Sequence, residues 1–413
     1  MKIAKKILVS ALLLCAMGVN SGKKEANTKY FVENLNISKN EVILEDFEEG
    51  IQVNAVSSKL KTRAKSAFLM DYDTKSILFS ENEETRLPIA SMCKIMTLLL
   101  SFEAIDAGEL SMDEQICISE RASSMGGSQV FLEANAKYSV RNLIKSIIVC
   151  SANDSCMAMA ERISGDESLF VDKMNEKAQE LGAYNTLFAN CTGLPKEPQY
   201  SCAKDVAIML RALLEHEEYY EFGKVWLDRF EHPEGRYTEI TNTNKLVRFY
   251  DGCDGGKTGF TNEAGFCLAA TAKRNNMRVI SVVIGEENST NRFEDVKTLF
   301  DYAFANYKNE TLAKAEVPLE EKVVVQGGKK KTIEICPAKD VYILTKKGEK
   351  GDYRIESYFE KLKAPIEKGD CVGELVVFKD GVEINRTPLV ALESVGEASI
   401  FDWFIEISRN WNA

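Results

Sequence analysis

From residue 23 to about 60 the chain is polar and charged, with no sustained period, and reads as a leader to the first domain. From Ser66 onward apolar positions recur in patterns that predict defined elements. Ser66-Ala-Phe-Leu-Met-Asp-Tyr and Ser76-Ile-Leu-Phe flank Asp73-Thr74-Lys75, which predicts a β-hairpin. Pro88 then introduces Ile89 to Leu100, an almost unbroken run of apolar helix formers, so a helix buried on all sides is expected. Residues 101–230 follow a mainly helical period, as in Leu143-Ile144-Ile147-Ile148 and Val206-Met209-Leu210-Leu213. Two strand-like runs come next, Phe266 to Lys273 and Arg278 to Gly285, joined by the polar turn Arg274-Asn275-Asn276, and a helix from Arg292 to Tyr307 closes the unit. Strands at both ends with helices between them predict one sheet assembled from distant parts of the chain and covered by helices. After about residue 311 the period becomes two. Lys322-Val-Val-Val-Gln, Val341-Tyr-Ile-Leu, Gly373-Glu-Leu-Val-Val-Phe and Pro388-Leu-Val-Ala are short strands between Gly- and Lys-rich turns, a small all-β module.

The two ends of the chain carry their own patterns. Lys2, Lys5 and Lys6 precede the 13-residue apolar stretch Ile7 to Val19, too short to span a membrane comfortably, and small residues come after it. This is the pattern of a secretory signal peptide over residues 1–21. At the other end, Ile400, Phe401, Trp403, Phe404, Ile405, Ile407 and Trp411 fall on one arc of a helical projection, with Asp402, Glu406 and Arg409 opposite. Two of the three tryptophans lie here, so residues 396–413 are expected to form an amphipathic helix that lies on a membrane surface.

Composition narrows the chemistry. The chain has 413 residues, more than one hydrophobic core usually holds, and a net charge of −11 that becomes −14 once the three signal lysines are removed. A chain this acidic is a poor partner for nucleic acid. There are only two histidines, His216 and His232, neither in a motif, so a proton carrier other than histidine is expected. Ten cysteines remain after Cys15 leaves with the signal, and no C-x-x-C pair occurs among them, so metal-ligand spacing is absent and no metal or cofactor is expected. Mostly free thiols are expected, with one or two disulfides left open.

Ser91-Met92-Cys93-Lys94 places a hydroxyl and an amine three residues apart on one face of the buried helix, where desolvation disfavours the charged amine and makes it a candidate general base. The spacing alone is weak, since S-x-x-K also occurs at Ser21, Ser58 and Ser201. S-x-N is equally common, at Ser38, Ser80, Ser151, Ser289 and Ser408. Lys257-Thr258-Gly259 is the one K-T-G. Order and setting discriminate: Ser91-x-x-Lys94 opens a buried helix, Ser151-Ala152-Asn153 sits at a break between helical segments, and Lys257-Thr258-Gly259 follows Asp254-Gly255-Gly256 and leads towards a strand. These are the three elements of penicillin-binding proteins and serine β-lactamases, in their order. Gly126-Gly127-Ser128 is either a loop at the rim of such a site or a plain turn.

Longer stretches sharpen the likeness. Pro88 to Thr97, Asp251 to Leu268, Asn242-Thr243-Asn244-Lys245-Leu246 and Asn190-Cys191-Thr192-Gly193-Leu194 resemble segments of the low-molecular-mass D-alanyl-D-alanine carboxypeptidases, peptidase family S11. The resemblance covers residues 60–310 well, and the region from Lys368 to Val390 resembles the family's C-terminal β domain. Departures are Gln199-Tyr200-Ser201, where the family often has His-Tyr-Ser, Phe260 where Tyr or His is common, and Cys93. None removes a reacting group; Gln199 and Phe260 are where substrate preference or rate would change.

The resemblance implies an α/β (α+β) domain of the serine β-lactamase/transpeptidase type over residues 61–310, with helices around an antiparallel sheet. A small β-sandwich domain over 311–395 would follow it. It implies a serine-type carboxypeptidase that removes the terminal D-alanine from peptidoglycan stem peptides through an acyl-enzyme and is trapped by β-lactams. In that scheme Ser91 is the nucleophile and Lys94 the base, while Ser151 and Lys257 pass a proton to the leaving amine. Asn153 holds the substrate amide, and the backbone N–H groups of Ser91 and Phe260 form the oxyanion hole. Thr258 and Gly259 bind substrate, and Arg278, on the strand after the turn, receives the terminal carboxylate. An enzyme on the outer face of the cytoplasmic membrane, peripheral to it, is expected. A class A β-lactamase and a catalytically silent wall-binding or sensor protein stay open as alternatives.

Overall fold

The computed structural model describes residues 60–349, 351–359 and 361–400, together with the strand Glu25–Asn27 and Asp402. The signal peptide, most of the leader and two thirds of the amphipathic C-terminal segment lie outside the described residues. The chain divides into two compact units, with the division at Asn309 and Glu310; Leu344–Gly348 returns to the first unit.

In the first unit, β1 (Ser66–Asp71) and β2 (Ile77–Glu81) form the expected hairpin, with Leu69 opposite Phe79. A 3-10 turn at Ala90–Cys93 leads into α1 (Lys94–Asp106), and α2 (Val140–Cys150), α3 (Asn153–Ser164), α4 (Glu167–Glu180) and α5 (Ala203–Leu213) follow. The hairpin β3 (Leu227–Glu231) and β4 (Tyr237–Thr241) comes next, its first strand overlapping the last residues of the stretch read as helical and its second lying beyond it. Then come β5 (Cys253–Thr261), β6 (Gly265–Arg274), β7 (Met277–Glu286) and α6 (Ser289–Asn306). Side chains cap three of these helices: Ser139 accepts from Asn142 N at the start of α2, Asp166 from Ser168 N at the start of α4, and Asn288 from Asn291 N at the start of α6.

The five strands assemble as β2-β1-β7-β6-β5, each pair antiparallel, so the first strands of the unit sit beside the last. Why β7 reads as a continuous apolar run becomes plain from its two faces. Ile280, Val282 and Ile284 join Phe68 and Met70 in a core under α1, α2, α3 and α5, while Val279 and Val283 join Leu69 and Leu268 in a second core under α6. Alternate residues therefore enter different cores, and every position of β7 is buried. Helix α1 lies deepest: residues 94–102 are all buried, so it is surrounded and not merely amphipathic. Each fully buried Leu, Ile, Met or Phe there contributes about 1.5–3 kcal/mol. This fixes α1 as the rigid post on which the chemistry stands.

The glycines of Asp254-Gly255-Gly256 lie inside β5, not before it. Gly256 has φ +125, and a Cβ there would lie 2.3 Å from Ala269 O. Gly255 makes room for the Tyr219 ring, whose hydroxyl accepts from Gly256 N at 2.8 Å. A turn-like sequence is thus held in a strand by close packing.

The second unit is a seven-stranded sheet in the order Glu25–Asn27, Tyr353–Phe359, Cys371–Lys379, Val382–Ala391, Thr332–Pro337, Lys322–Gln326, Leu362–Lys363. Its core holds Val323, Val325, Ile333, Ile335, Leu375, Val377 and Leu389, the residues that the period of two places on one face. The leader contributes one strand to it, Glu25–Asn27, paired with Ser357–Phe359. Cys93, Cys117, Cys150, Cys156, Cys191, Cys202, Cys253, Cys267, Cys336 and Cys371 are all free thiols. No helix among the described residues is long and apolar enough to cross a membrane.

Candidate active site

The S-x-x-K pair stands where the 3-10 turn becomes α1. Lys94 Nζ lies 3.0 Å from Ser91 Oγ and also donates to Thr192 O. Its side chain is completely buried, and burial draws its ammonium below the ordinary lysine range. Ser91 is half-buried, so the hydroxyl and not the amine faces outward. Ala90, just before it, has φ +47, a conformation that costs a side-chain-bearing residue about 1–2 kcal/mol. Two glycines pack on either side of it. A Cβ at Gly193 (φ +80) would lie 2.0 Å from Ala90 O, and one at Gly259 would lie 2.6 Å from Ile89 O and 3.3 Å from Ser91 N. Strand β5 therefore runs directly against the turn that carries the Ser91 N–H. Phe260 follows Gly259 with its ring half-exposed and tilted on Phe266, centroids 4.3 Å apart.

The second element comes from the break between α2 and α3. Ser151 ends α2 at φ +65, ψ +34, and Ala152 is extended, so the chain changes direction there. Lys257 Nζ donates to Ser151 Oγ at 2.8 Å across 106 residues of sequence. Lys257 is only 2% exposed, and burial, reinforced by the charge of Lys94, draws it well below the ordinary lysine range. Asn153 N donates to Ser128 O and its Nδ2 to Gly126 O, both at 2.7 Å. A Cβ at Gly127 would lie 2.7 Å from Asn153 Nδ2. The segment Gly126-Gly127-Ser128 is therefore the loop that seats Asn153. Asn153 Oδ1 is buried without a hydrogen-bond partner, an acceptor left for an incoming N–H.

Ser91, Lys94, Ser151, Asn153, Lys257, Thr258 and Gly259 are thus brought together as two hydroxyl–lysine pairs where the start of α1, the α2–α3 break and β5 meet. Among the described residues no group of His, Cys, Asp and Glu has the arrangement of a metal site.

A family described as peptidase S11, D-alanyl-D-alanine carboxypeptidase, matches residues 52–288, and the penicillin-binding protein 5 C-terminal domain matches residues 307–397. The chain belongs to the D-alanyl-D-alanine carboxypeptidase family. It is 42% identical over 357 residues to D-alanyl-D-alanine carboxypeptidase DacF of Bacillus subtilis, covering 86% of this chain and 92% of that one. Its structure is similar to penicillin-binding protein 5 from Haemophilus influenzae, with TM-score 0.66 and 31% identity over 83% of this chain and 100% of that one. It is also similar to the ampicillin-bound penicillin-binding protein D2 from Listeria monocytogenes, with TM-score 0.54 and 30% identity over 60% of this chain and 99% of that one.

One assigned residue does not reach the carboxypeptidase site. Arg278 donates to Asp254 through both terminal nitrogens, at 2.7 and 2.8 Å, and to Thr271 Oγ1 at 3.0 Å, and it lies over the Tyr220 ring. Sheet register explains why. Thr258 is level with Leu268 and Val283, whereas Arg278 is level with Lys273, five positions along β7 and therefore about 17 Å away. Its fork is already filled by an internal carboxylate.

The arginine that does lie behind Lys257-Thr258-Gly259 is Arg292 on α6. It is 9% exposed, donates to Gly259 O at 3.2 Å and Cys267 O at 3.4 Å, and rests over Phe266 and Phe293. Its Nε is buried without a partner. Burial pulls its guanidinium down to about 10, so the cation persists at neutral pH beside the strand. Sequence reasoning missed it because it belongs to no motif. The available signal was its position, four residues before Val296 and seven before Leu299, which puts a charge on the core face of α6.

Gln199, where the family often has histidine, is bonded into the site's frame. Its Oε1 accepts from Ala189 N and Asn190 N at 3.1 and 3.2 Å.

Proposed function

We propose that this chain is a serine-type D-Ala-D-Ala carboxypeptidase that cleaves the terminal D-alanine from peptidoglycan stem peptides by way of an ester on Ser91. The observation that carries this reading is Lys94: a fully buried lysine, drawn below its ordinary proton affinity, 3.0 Å from a half-buried serine hydroxyl. An amine in that state takes the Ser91 proton as Oγ attacks the carbonyl between the two D-alanines. The backbone N–H groups of Ser91 and Phe260 stabilise the oxyanion, each donor contributing about 3–4 kcal/mol in comparable acyl transfers. Lys257 and Ser151, in contact at 2.8 Å, deliver a proton to the departing amine. Asn153 Oδ1 accepts the substrate's amide N–H. Water then hydrolyses the ester, with Lys94 again handling the proton. β-Lactams enter the same path and stop at the ester; the ampicillin-bound relative supports this.

The direct test is incubation of the protein with a muropeptide pentapeptide. Loss of a single alanine is expected. Rapid hydrolysis of penicillin with no change in the peptide would overturn the reading in favour of a β-lactamase.

Thr258 and the field of Arg292 receive the substrate's terminal carboxylate. Arg292→Ala is expected to lower kcat/KM for a peptide with a free carboxylate by about 10- to 100-fold, as for loss of a hydrogen bond to a charged group. The carboxyl-amidated peptide should hardly change. Arg278→Ala is expected to affect both peptides alike and to lower Tm, because it leaves Asp254 without its partner. If Arg278→Ala instead discriminates between the peptides and Arg292→Ala does not, the assignment is reversed.

Export and membrane association form part of the same proposal. They are supported by the signal-like residues 1–21 and by the apolar arc from Ile400 to Trp411. Deleting residues 397–413 is expected to release active enzyme from membranes with unchanged activity on a soluble peptide. Truncated protein that stays membrane-bound or unfolds would remove the anchor.

A further inference from the structure

The acceptor of Lys94, Thr192 O, belongs to a turn over residues 189–194 whose shape is held by two carboxamides. Asn190 Oδ1 accepts from Gly193 N at 2.7 Å, from Thr192 N at 3.1 Å and from Thr192 Oγ1 at 3.3 Å, while its Nδ2 donates to Leu194 O at 2.7 Å. Gln199 closes the ring from outside: its Oε1 accepts from Ala189 N and Asn190 N, and its Nε2 donates to Leu194 O at 3.4 Å. Asn190 is 7% exposed and Thr192 1%, so water does not readily replace these bonds. The same turn touches the nucleophile, because Gly193 packs against Ala90 O and Ser91 N. One clasped turn thus presents a carbonyl to the base and a supporting surface to the serine.

We propose that Asn190, seconded by Gln199, is a positioning residue for acylation: by locking this turn it holds the Thr192 carbonyl on Lys94 and so fixes how the amine faces Ser91. The proposal rests on the reading of Lys94 as the general base. A lysine ammonium has three N–H bonds to give, and two of them are directed by Ser91 Oγ and Thr192 O. An accepting carbonyl favours the charged form and so works against the desolvation that lowers Lys94. Freeing the turn removes that support, lowers the proton affinity of Lys94 further and lets its side chain rotate away from Ser91.

The titratable groups around Lys94 do not obscure this effect. They are Cys93 beside it, Cys150 at the end of α2, Cys156 on α3, Cys191 in the turn itself and Lys257 on β5. Burial pushes the thiols of Cys150 and Cys156 up to about 12 and raises those of Cys93 and Cys191 as well, so all four stay neutral near pH 7. Lys257 is the other lysine of this set, and burial together with the charge of Lys94 draws it well below the ordinary lysine range.

The test is the rate of acylation by a fluorescent penicillin as a function of pH, normalised to sites labelled at completion. Asn190→Ala is expected to slow acylation by about tenfold at neutral pH and to move the acid limb about one unit lower, the scale of one hydrogen bond to a charged group. Gln199→Ala is expected to move the limb the same way by less. Gln199→Glu keeps the acceptor oxygens and is expected to retain the wild-type limb. A merely structural role predicts a lower Tm with the limb unmoved; that outcome, a limb moved upward, or identical behaviour of Gln199→Glu and Gln199→Ala overturns the proposal. Should Asn190→Ala fail to fold, the two Gln199 variants decide. An acid limb absent from wild type, or one that survives in Lys94→Met, removes Lys94 as the base; a limb present in wild type but unmoved in the variants removes only the role of Asn190.

Discussion

Ser91→Ala protein is expected to take up no fluorescent penicillin and to release no alanine from a pentapeptide, while its unfolding transition stays near that of the wild type. The Ser91 hydroxyl is half-buried and receives one hydrogen bond, from Lys94, which keeps Thr192 O as a second partner. Stability should therefore change by no more than about 1 kcal/mol. Turnover, in contrast, loses the atom that forms the ester, a change worth on the order of a millionfold in serine acyl-transfer enzymes. The control is Ser201→Ala, at another S-x-x-K. Ser201 Oγ is buried against Thr186 Oγ1 at 2.8 Å, and Lys204 turns away to Glu84. That variant should label at the wild-type rate with a modestly lower Tm. Labelling of Ser91→Ala together with loss in Ser201→Ala would place the nucleophile elsewhere.

The second large effect is Lys94→Met, which keeps the length and volume of the side chain and removes the amine. Acylation is expected to slow by about 10²- to 10⁴-fold, the usual contribution of a positioned base. Stability should move the other way as pH falls through the ordinary lysine range, about 10.4. The folded protein holds Lys94 below its ordinary proton affinity, so between the folded and unfolded values the unfolded chain binds the extra proton. That uptake favours unfolding and grows as pH falls. The Tm advantage of Lys94→Met should accordingly be absent near pH 11, where lysine is neutral in both states, and should increase on acidification until Lys94 is protonated in both. Thermal melts across pH and stopped-flow labelling measure the two halves. Near-normal acylation in Lys94→Met would shift the base to Lys257 acting through Ser151.

Much of the fold was legible because its signals are local. The hairpin at Asp73-Thr74-Lys75 and the strand pair around Asn275 follow from turn residues between apolar runs; Lys75 and Asn275 both adopt positive φ. Helix α1 was legible from its unbroken apolar run, although it begins at Lys94, after a 3-10 turn, and not at Ile89. The hairpin β3–β4 was not legible. Its strands Leu-Asp-Arg-Phe-Glu and Tyr-Thr-Glu-Ile-Thr each bury one residue, Phe230 and Ile240, and one buried position defines no period. The break that makes Ser151 available was visible as an interruption of helical pattern. Its left-handed conformation was not, because no glycine marks it.

Among the site residues, the Ser91–Lys94 pair could be read from the residues alone, because a spacing of three at a helix start places two side chains together whatever surrounds them. Which residue types meet was readable too, since motif order carries Ser151, Asn153 and Lys257. What those groups can do depends on the folded chain around them. Desolvation of Lys94 and Lys257 depends on how many layers of chain cover them, and their partners Thr192 and Ser151 come from elsewhere in sequence. Folding also decided against Arg278 and for Arg292, both arginines near the same sheet, because strand register and helix facing set which guanidinium stands behind Gly259 and which is consumed by Asp254. Register and burial are sums over many distant contacts, and no local pattern of residues encodes them.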